Sequence, residues 1–122
     1  MTTGWKLDHA RREVLLGRFP PRYAEVVADH VTLLSNADGG EKADPPPPVA
    51  SARIVGHADD GCGVEAMVVE IDGSLDRPGG GTWHVTWSLG EGRRPRESNA
   101  VIAEAGFTPL DGGELLLTPA RW

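Results

Sequence analysis

The spacing of apolar residues predicts a helix near the start of the chain. Asp8 is of a residue type that caps helix N-termini, and Pro20 and Pro21 cannot continue a helix beyond Phe19. Residues three and four apart share one side of a helix, which here separates an apolar side from a basic side. The apolar side holds Ala10, Val14 and Leu15, and the basic side, expected to face solvent, holds Arg11, Arg12 and Arg18.

Runs rich in β-branched residues, bounded by turn residues, predict five strands. These strands cover residues 25–34, 49–57, 63–71, 82–89 and 114–119. The segment 58–61 predicts a hairpin turn, and the segment 36–48, with its four consecutive prolines, predicts a long loop. A short helix capped by Ser98 and closed by Gly106 is expected before the last strand. Its inner side is predicted to hold Val101, Ile102 and Ala105.

The order of these elements indicates the fold class. One helix is followed by four strands, a second helix and a last strand, with a hairpin in the middle, which is typical of an α+β protein with a mostly antiparallel sheet. The length of 122 residues predicts a single domain, residues 1–122.

Two of the four histidines lie in the same short pattern. Residues 30–32 and 84–86 both read His-Val-Thr and both fall inside predicted strands, where side chains alternate between faces. Each histidine therefore shares a face with the threonine two positions later, and each valine points into the core. The same parity places Trp83 and Trp87 in the core. The chain holds only seven threonines, so this repeated spacing is an uncommon coincidence.

Two facing histidines with neighbouring hydroxyls suit acid-base chemistry at a phosphate. One histidine can act as general base and the other as general acid near neutral pH. Threonine hydroxyls can donate hydrogen bonds to the non-bridging oxygens, whose charge must be held in the transition state. Opening a cyclic phosphodiester in this way requires no metal, and the coupled pair gives a bell-shaped pH profile.

These motifs resemble those of the two-histidine (2H) phosphoesterase superfamily. The resemblance rests on both His-Val-Thr motifs and on segment 81–99, which is similar to small phosphoesterase domains of RNA-repair-like proteins. Together they cover about half of the chain. The resemblance implies mostly antiparallel sheets from two pseudo-symmetric halves around a cleft, with one motif in each half and helices packed outside.

The same resemblance implies roles for four residues. His30 and His84 match the catalytic histidines, and Thr32 and Thr86 match the phosphate-binding threonines. By analogy, His84 is the base that activates water, and His30 is the acid that protonates the leaving ribose oxygen. The implied enzyme hydrolyses the 2′,3′-cyclic phosphate of a nucleotide or RNA end, with neither cofactor nor metal.

Two other interpretations of the paired motif stay open. A non-catalytic module with the same cleft would bind or sequester a cyclic nucleotide, and a polar ladder of His and Thr side chains would be purely structural. The net charge of −6 argues against a duplex nucleic acid as the partner, and no apolar run approaches the length of a membrane helix. We expect a cytoplasmic monomer, because no signal-peptide pattern is visible and Cys62 is the only cysteine.

A few other polar residues are weaker candidates. Those that could line the cleft or contact a phosphate or base are Ser88, Tyr23, Arg93, Arg94 and Arg96. A metal site near the hairpin turn competes with a simple solvated turn, which we favour. Its ligands would be His57, Asp59, Asp60 and Cys62. His9 is expected to be exposed.

Overall fold

Two antiparallel sheets and two helices make up the protein, as seen in a computed structural model that describes residues 1–35, 39 and 43–122. The helices are α1 (His9–Arg18) and α2 (Ser98–Ala105), and a 3-10 turn at Pro95–Glu97 leads into α2. The strands are β1 (Thr3–Leu7), β2 (Glu25–Val26), β3 (His30–Leu34), β4 (Ala52–Asp59), β5 (Val64–Ile71), β6 (His84–Leu89), β7 (Thr108–Glu114) and β8 (Leu117–Arg121). The strand orders are β3-β1-β8 in one sheet and β2-β6-β5-β4-β7 in the other. The predicted α+β class is confirmed.

The main core lies between the two sheets. Trp5 of β1 meets Trp83 edge-on, with ring centroids 5.4 Å apart, and Leu15 of α1 packs into the same cluster. The other face of the five-stranded sheet is covered by α2, whose Ile102 is buried against β4 and β5. Because β5 is buried on both faces, its sequence is a nearly continuous apolar run without alternation.

The first helix has the predicted ends but not the predicted buried side. Asp8 caps it by accepting a hydrogen bond from the Arg11 amide at 2.9 Å. Leu15 is buried, whereas Val14 is 55% exposed, so the predicted apolar side is wrong in part. The guanidinium of Arg12 points inward instead of into solvent. It donates to the backbone carbonyls of residues 27 and 28 at 3.2 and 2.8 Å.

The predicted strand 25–34 is in fact divided between the two sheets. The amides of Val27 and Ala28 still bond to β6, donating to the carbonyls of Trp87 and Thr86 at 3.0 and 2.9 Å. One residue later, the Asp29 carbonyl accepts from the Leu7 amide at 3.0 Å, so the chain has joined β1. Ala28 has a positive φ of 41°, which lies outside the conformations of a regular strand. The strand prediction was wrong here because β propensity carries no information about the change of partner.

The other strands that differ from the prediction lie near the two ends of the chain. β1 and β7 were not predicted, because the sequences TGWKL and TPLDGGE contain few β-branched residues and many turn residues. The predicted strand 114–119 is interrupted at Leu115, whose amide donates to the Ala52 carbonyl at 2.8 Å. The predicted hairpin is confirmed, since β4 and β5 pair antiparallel around 60–63.

The second helix also differs in detail from its prediction. Ser98 is the first residue of α2 rather than its cap, and its hydroxyl bonds to Thr86 instead. Ala105 is exposed, while Gly106, with φ of 72°, closes the helix as predicted. Residues 36–38 and 40–42 of the predicted loop 36–48 lie outside the described residues, and residues 43–48 form neither helix nor strand.

No helix in the described ranges is long and apolar enough to cross a membrane.

Replacing Arg12 by Met should lower the free energy of unfolding by about 1–3 kcal/mol, because two carbonyl oxygens of the divided strand lose their donor. Methionine keeps the helix propensity and much of the side-chain length. Urea denaturation followed by circular dichroism measures the change. Arg11→Met is the matched control. Among the described residues, the Arg11 side chain makes no hydrogen bond or ion pair and only its backbone amide bonds to Asp8, so the effect of this substitution should stay within about 0.5 kcal/mol. Equal effects of the two substitutions would contradict this role for Arg12.

Candidate functional site

A cavity of about 250 Å³ lies between β3 and β6, which belong to different sheets. All four polar side chains of the His-Val-Thr motifs line it, namely His30, Thr32, His84 and Thr86. The intervening valines, Val31 and Val85, are fully buried on the opposite side. The two motifs are therefore brought together with the predicted parity, although they belong to different sheets.

The tryptophans beside the second motif are in the core, as predicted. Trp83 is 5% exposed and Trp87 is fully buried, and the Trp87 indole donates to the Phe19 carbonyl at 2.8 Å. This packing holds one face of β6 in the core, and so fixes the opposite face, with its histidine and threonine, toward the cavity.

His84 is held in a setting that favours its neutral form. Its Nδ1 lies 2.8 Å from the Thr82 carbonyl, and a carbonyl can only accept, so Nδ1 carries a proton. In the neutral ring Nε2 is then the nitrogen that can take up a proton. Burial lowers the pKa of His84, and the charges of Arg77 and His30 lower it further, against an opposing contribution from the Thr82 carbonyl.

His30 has a carboxylate partner, whereas no carboxylate of the described residues bonds to His84. Its Nδ1 lies 3.0 Å from Oδ2 of Asp29, and Asp29 also pairs with Lys6. Burial lowers the pKa of His30, but the hydrogen bond and the charge of Asp29 both act to raise it. The Asp29 carboxylate thus stabilises the charged imidazolium, which is the form that a general acid requires.

The two threonines differ in how far their hydroxyls are already used. Thr86 is 5% exposed, and its Oγ1 lies 2.8 Å from Ser98 Oγ and 3.3 Å from the Pro95 carbonyl. If the Ser98 hydroxyl donates to Thr86, the Thr86 proton goes to the Pro95 carbonyl, and it must leave that acceptor to reach a ligand. The Thr32 hydroxyl has no hydrogen-bond partner within the described part of the chain.

The cavity is positively charged, in contrast to the whole chain with its net charge of −6. Arg77 and Arg96 line it together with Asn99 and Trp122, and none of the described residues that line it is Asp or Glu. Trp122 lies against His30, with ring centroids 4.6 Å apart. An anion is therefore the ligand that the electrostatics of the cavity favour.

Most of the weaker sequence candidates lie elsewhere. Arg93 is paired with Asp60 and Glu97 outside the cavity. The Tyr23 hydroxyl donates to Asp59 at 2.6 Å, which raises the pKa of the phenol, and this contact holds the ring away from the cavity. The remaining two, Ser88 and Arg94, do not line the cavity either. Of the three clustered arginines, only Arg96 reaches it.

The residues near the hairpin turn do not form the considered metal site. In the described ranges, no group of three or more His, Cys, Asp or Glu side chains is placed to hold a metal ion. His57 bonds instead through Nε2 to Glu65 at 2.8 Å, and Glu65 is 2% exposed. A simple solvated turn is also the wrong description of His57, because its side chain is only 18% exposed.

Four contributors to the site were not found from the sequence. Asp29 precedes a motif histidine, and that adjacency is a signal that could have identified it. Arg77, Asn99 and Trp122 are 7 or more residues from either motif in the chain and reach the cavity only through tertiary folding.

Comparisons with known proteins give no match. No protein-family model, no curated protein and no solved structure matches this chain. The function must therefore be inferred from the residues and their geometry.

The two cavity histidines should respond in opposite directions to changes in their neighbours. Asp29→Asn should lower the pKa of His30 further, because the carboxylate raises it. Arg77→Gln should raise the pKa of His84, because the arginine charge lowers it. NMR titration of the imidazole C–H signals measures both values. In the wild-type protein both should lie below the usual 6.5. Arg94→Gln, outside the cavity, should leave both unchanged; a His30 pKa that rises in Asp29→Asn would refute the assigned contact.

Proposed function

We propose that this protein is a metal-independent phosphoesterase that opens a cyclic phosphodiester by two-histidine acid-base catalysis. The observation that carries the proposal is that both His-Val-Thr motifs line one cavity, in which no described lining residue is acidic. Two proton-transfer groups and two hydroxyls around an anion-favouring cavity are the groups that hydrolysis of a phosphodiester requires.

The different partners of the histidines support an assignment of roles. His84, without a carboxylate neighbour, accepts the proton of the attacking water through Nε2. The water oxygen bonds to phosphorus, and the bond from phosphorus to one ribose oxygen breaks. His30, as the imidazolium backed by Asp29, gives its Nε2 proton to that leaving oxygen. The product is a phosphomonoester, which we expect to be the 2′-phosphate.

A 2′,3′-cyclic phosphate on a nucleotide or RNA end is the substrate class that we propose. The cavity is at the small end of ligand-binding cavities, so it admits a terminal phosphate and part of one nucleotide. The net charge of −6 disfavours a long duplex, because duplex affinity depends on many Lys and Arg contacts to phosphates.

The two-lobed arrangement of the 2H superfamily is part of this proposal. One motif strand, β3, lies at the edge of the three-stranded sheet, and the other, β6, lies within the five-stranded sheet. The two sheets would correspond to the two halves, one of them reduced in strand number. This correspondence supports the 2H assignment of His30, His84, Thr32 and Thr86.

His30→Ala and His84→Ala should each lower turnover at least about 100-fold, the low end for loss of general acid-base catalysis. Phosphorus NMR of a nucleoside 2′,3′-cyclic phosphate with EDTA present follows the conversion to monoester directly. His9→Ala is the matched control, because His9 is exposed on α1 and outside the cavity. Thr32→Ala and Thr86→Ala should cause smaller losses. Turnover at the wild-type rate in both His30→Ala and His84→Ala would refute the proposal. A broadened substrate signal without conversion would favour a binding module.

The acid and base roles can be separated with a substrate whose leaving group needs no proton. A p-nitrophenyl phosphodiester releases a stable nitrophenolate, so His30→Ala should lose much less activity on it than on the cyclic phosphate. His84→Ala should lose activity on both, because water must still be deprotonated. Initial rates from nitrophenolate absorbance give the comparison. The opposite pattern would exchange the two roles.

A further inference from the structure

The cavity carries more positive charge than one cyclic phosphate needs. A cyclic phosphodiester has a single negative charge, which the two histidines and two threonines of the motifs are placed to hold. Arg77 and Arg96 add two further charges. Neither makes an ion pair with a carboxylate within the described ranges. Four other arginines do so, namely Arg12, Arg22, Arg53 and Arg93.

The two cavity arginines belong to the segments that precede and follow β6 in the chain. Arg96 lies in the 3-10 turn, next to Pro95, whose carbonyl contacts Thr86. Arg77 is fixed in the loop before β6 by a hydrogen bond from its Nε to the Gly80 carbonyl at 3.0 Å. The Asn99 side chain of α2, with its oxygen turned toward Arg77, accepts from Nη2 at 3.3 Å.

The three-stranded sheet places an aromatic side chain, Trp122, at the cavity. Trp122 belongs with the three-stranded sheet, because its amide and carbonyl bond to Thr2 at 2.9 and 2.6 Å. Its ring contacts the His30 ring, and Lys6 Nζ lies 4.6 Å from the Trp122 ring centroid. A ligand in the cavity is therefore surrounded by two guanidinium groups, an aromatic ring and the motif residues.

We propose that Arg77 and Arg96 form a second anion subsite, which binds a further phosphate group of the substrate whose cyclic phosphate reacts at His30 and His84. This inference rests on the proposed function and narrows its substrate class to nucleotides that bear at least one phosphate beyond the cyclic one. The further phosphate is either a terminal monoester or the phosphodiester that links to a preceding nucleotide. Guanidinium groups suit both, because they present paired donors to phosphate oxygens.

Binding tests the subsite without turnover. Isothermal titration calorimetry compares adenosine 2′,5′-bisphosphate with adenosine 2′-phosphate, a ligand of the expected product type with a single phosphate. The wild-type protein should bind the bisphosphate at least about tenfold more tightly, the low end for a charge-assisted contact. Arg77→Gln and Arg96→Gln should each reduce this ratio, and Arg94→Gln, exposed and outside the cavity, should retain it.

Kinetics distinguish the two sources of the second phosphate. The substrates are adenosine 2′,3′-cyclic phosphate, the same nucleotide with a 5′-phosphate, and a dinucleotide that ends in the cyclic phosphate. The ratio of kcat/KM for each two-phosphate substrate to that for the one-phosphate substrate is measured in every variant. Arg77 also lowers the pKa of His84, so Arg77→Gln changes that pKa whichever substrate is used. This change is common to all substrates and cancels in the ratio of two kcat/KM values.

Each outcome is decisive. A higher kcat/KM for the 5′-phosphorylated nucleotide alone identifies a terminal phosphate as the group that the subsite binds. A higher kcat/KM for the dinucleotide identifies an internucleotide phosphate. In either case, Arg77→Gln or Arg96→Gln must abolish the preference. Turnover of all three substrates at equal kcat/KM, with equal affinity for both ligands, overturns the subsite and leaves the phosphoesterase standing. Tight, arginine-dependent binding of the bisphosphate without any turnover would sustain the subsite and refute the catalytic proposal. No binding and no turnover refutes both.

Discussion

The site depends on the departure of one chain segment from β6 at Ala28. Up to this residue the segment is hydrogen-bonded to β6, and from Asp29 onward it is bonded to β1 in the other sheet. A strand that continued along β6 would stay in the five-stranded sheet, and the first motif would not lie in the other sheet across the cavity. Because the chain turns away, with a positive φ at Ala28, β3 and β6 face each other across an open space. The Arg12 guanidinium stabilises the turn by binding the carbonyls of both residues that precede Asp29.

The cavity brings together two histidines whose electrostatic surroundings differ. A carboxylate lies beside His30, whereas a backbone carbonyl and the charge of Arg77 lie beside His84. Burial disfavours the charged form of both rings, and the Asp29 carboxylate opposes this at His30, whereas the charge of Arg77 adds to it at His84. In the proposed mechanism, these different neighbours suit two chemically identical side chains to opposite proton transfers. A carboxylate in the cavity would raise the pKa of both histidines, and no described lining residue is Asp or Glu.

The sequence predicted those features that depend on alternation along a strand. Val31, Val85 and Trp87 are buried and the motif histidines face the cavity, because period-two alternation is a local property of the backbone. Features decided by tertiary partners could not be predicted in this way. Arg12 faces inward and Ser98 bonds to Thr86 because of groups distant in the chain. Similarly, Arg77 and Trp122 carry no local signal of their place in the cavity. The short β1 and the glycine-rich β7 became strands through pairing with neighbours rather than through propensity.

The segment that leads through β2 into β3 is also held at its beginning, at Arg22 and Tyr23. Glu65 of β5, 2% exposed, accepts from the Arg22 amide at 3.0 Å and from the Ser88 hydroxyl at 2.7 Å. Ser88 in turn accepts from the Tyr23 amide at 3.1 Å. A buried carboxylate is costly unless it is fully hydrogen-bonded, so these contacts stabilise one register of β2 against β6. With the start of the segment held by Glu65 and its departure held by Arg12, the number of residues paired with β6 is set. The position of His30 opposite the second motif follows from that length, although neither Glu65 nor Arg12 lines the cavity.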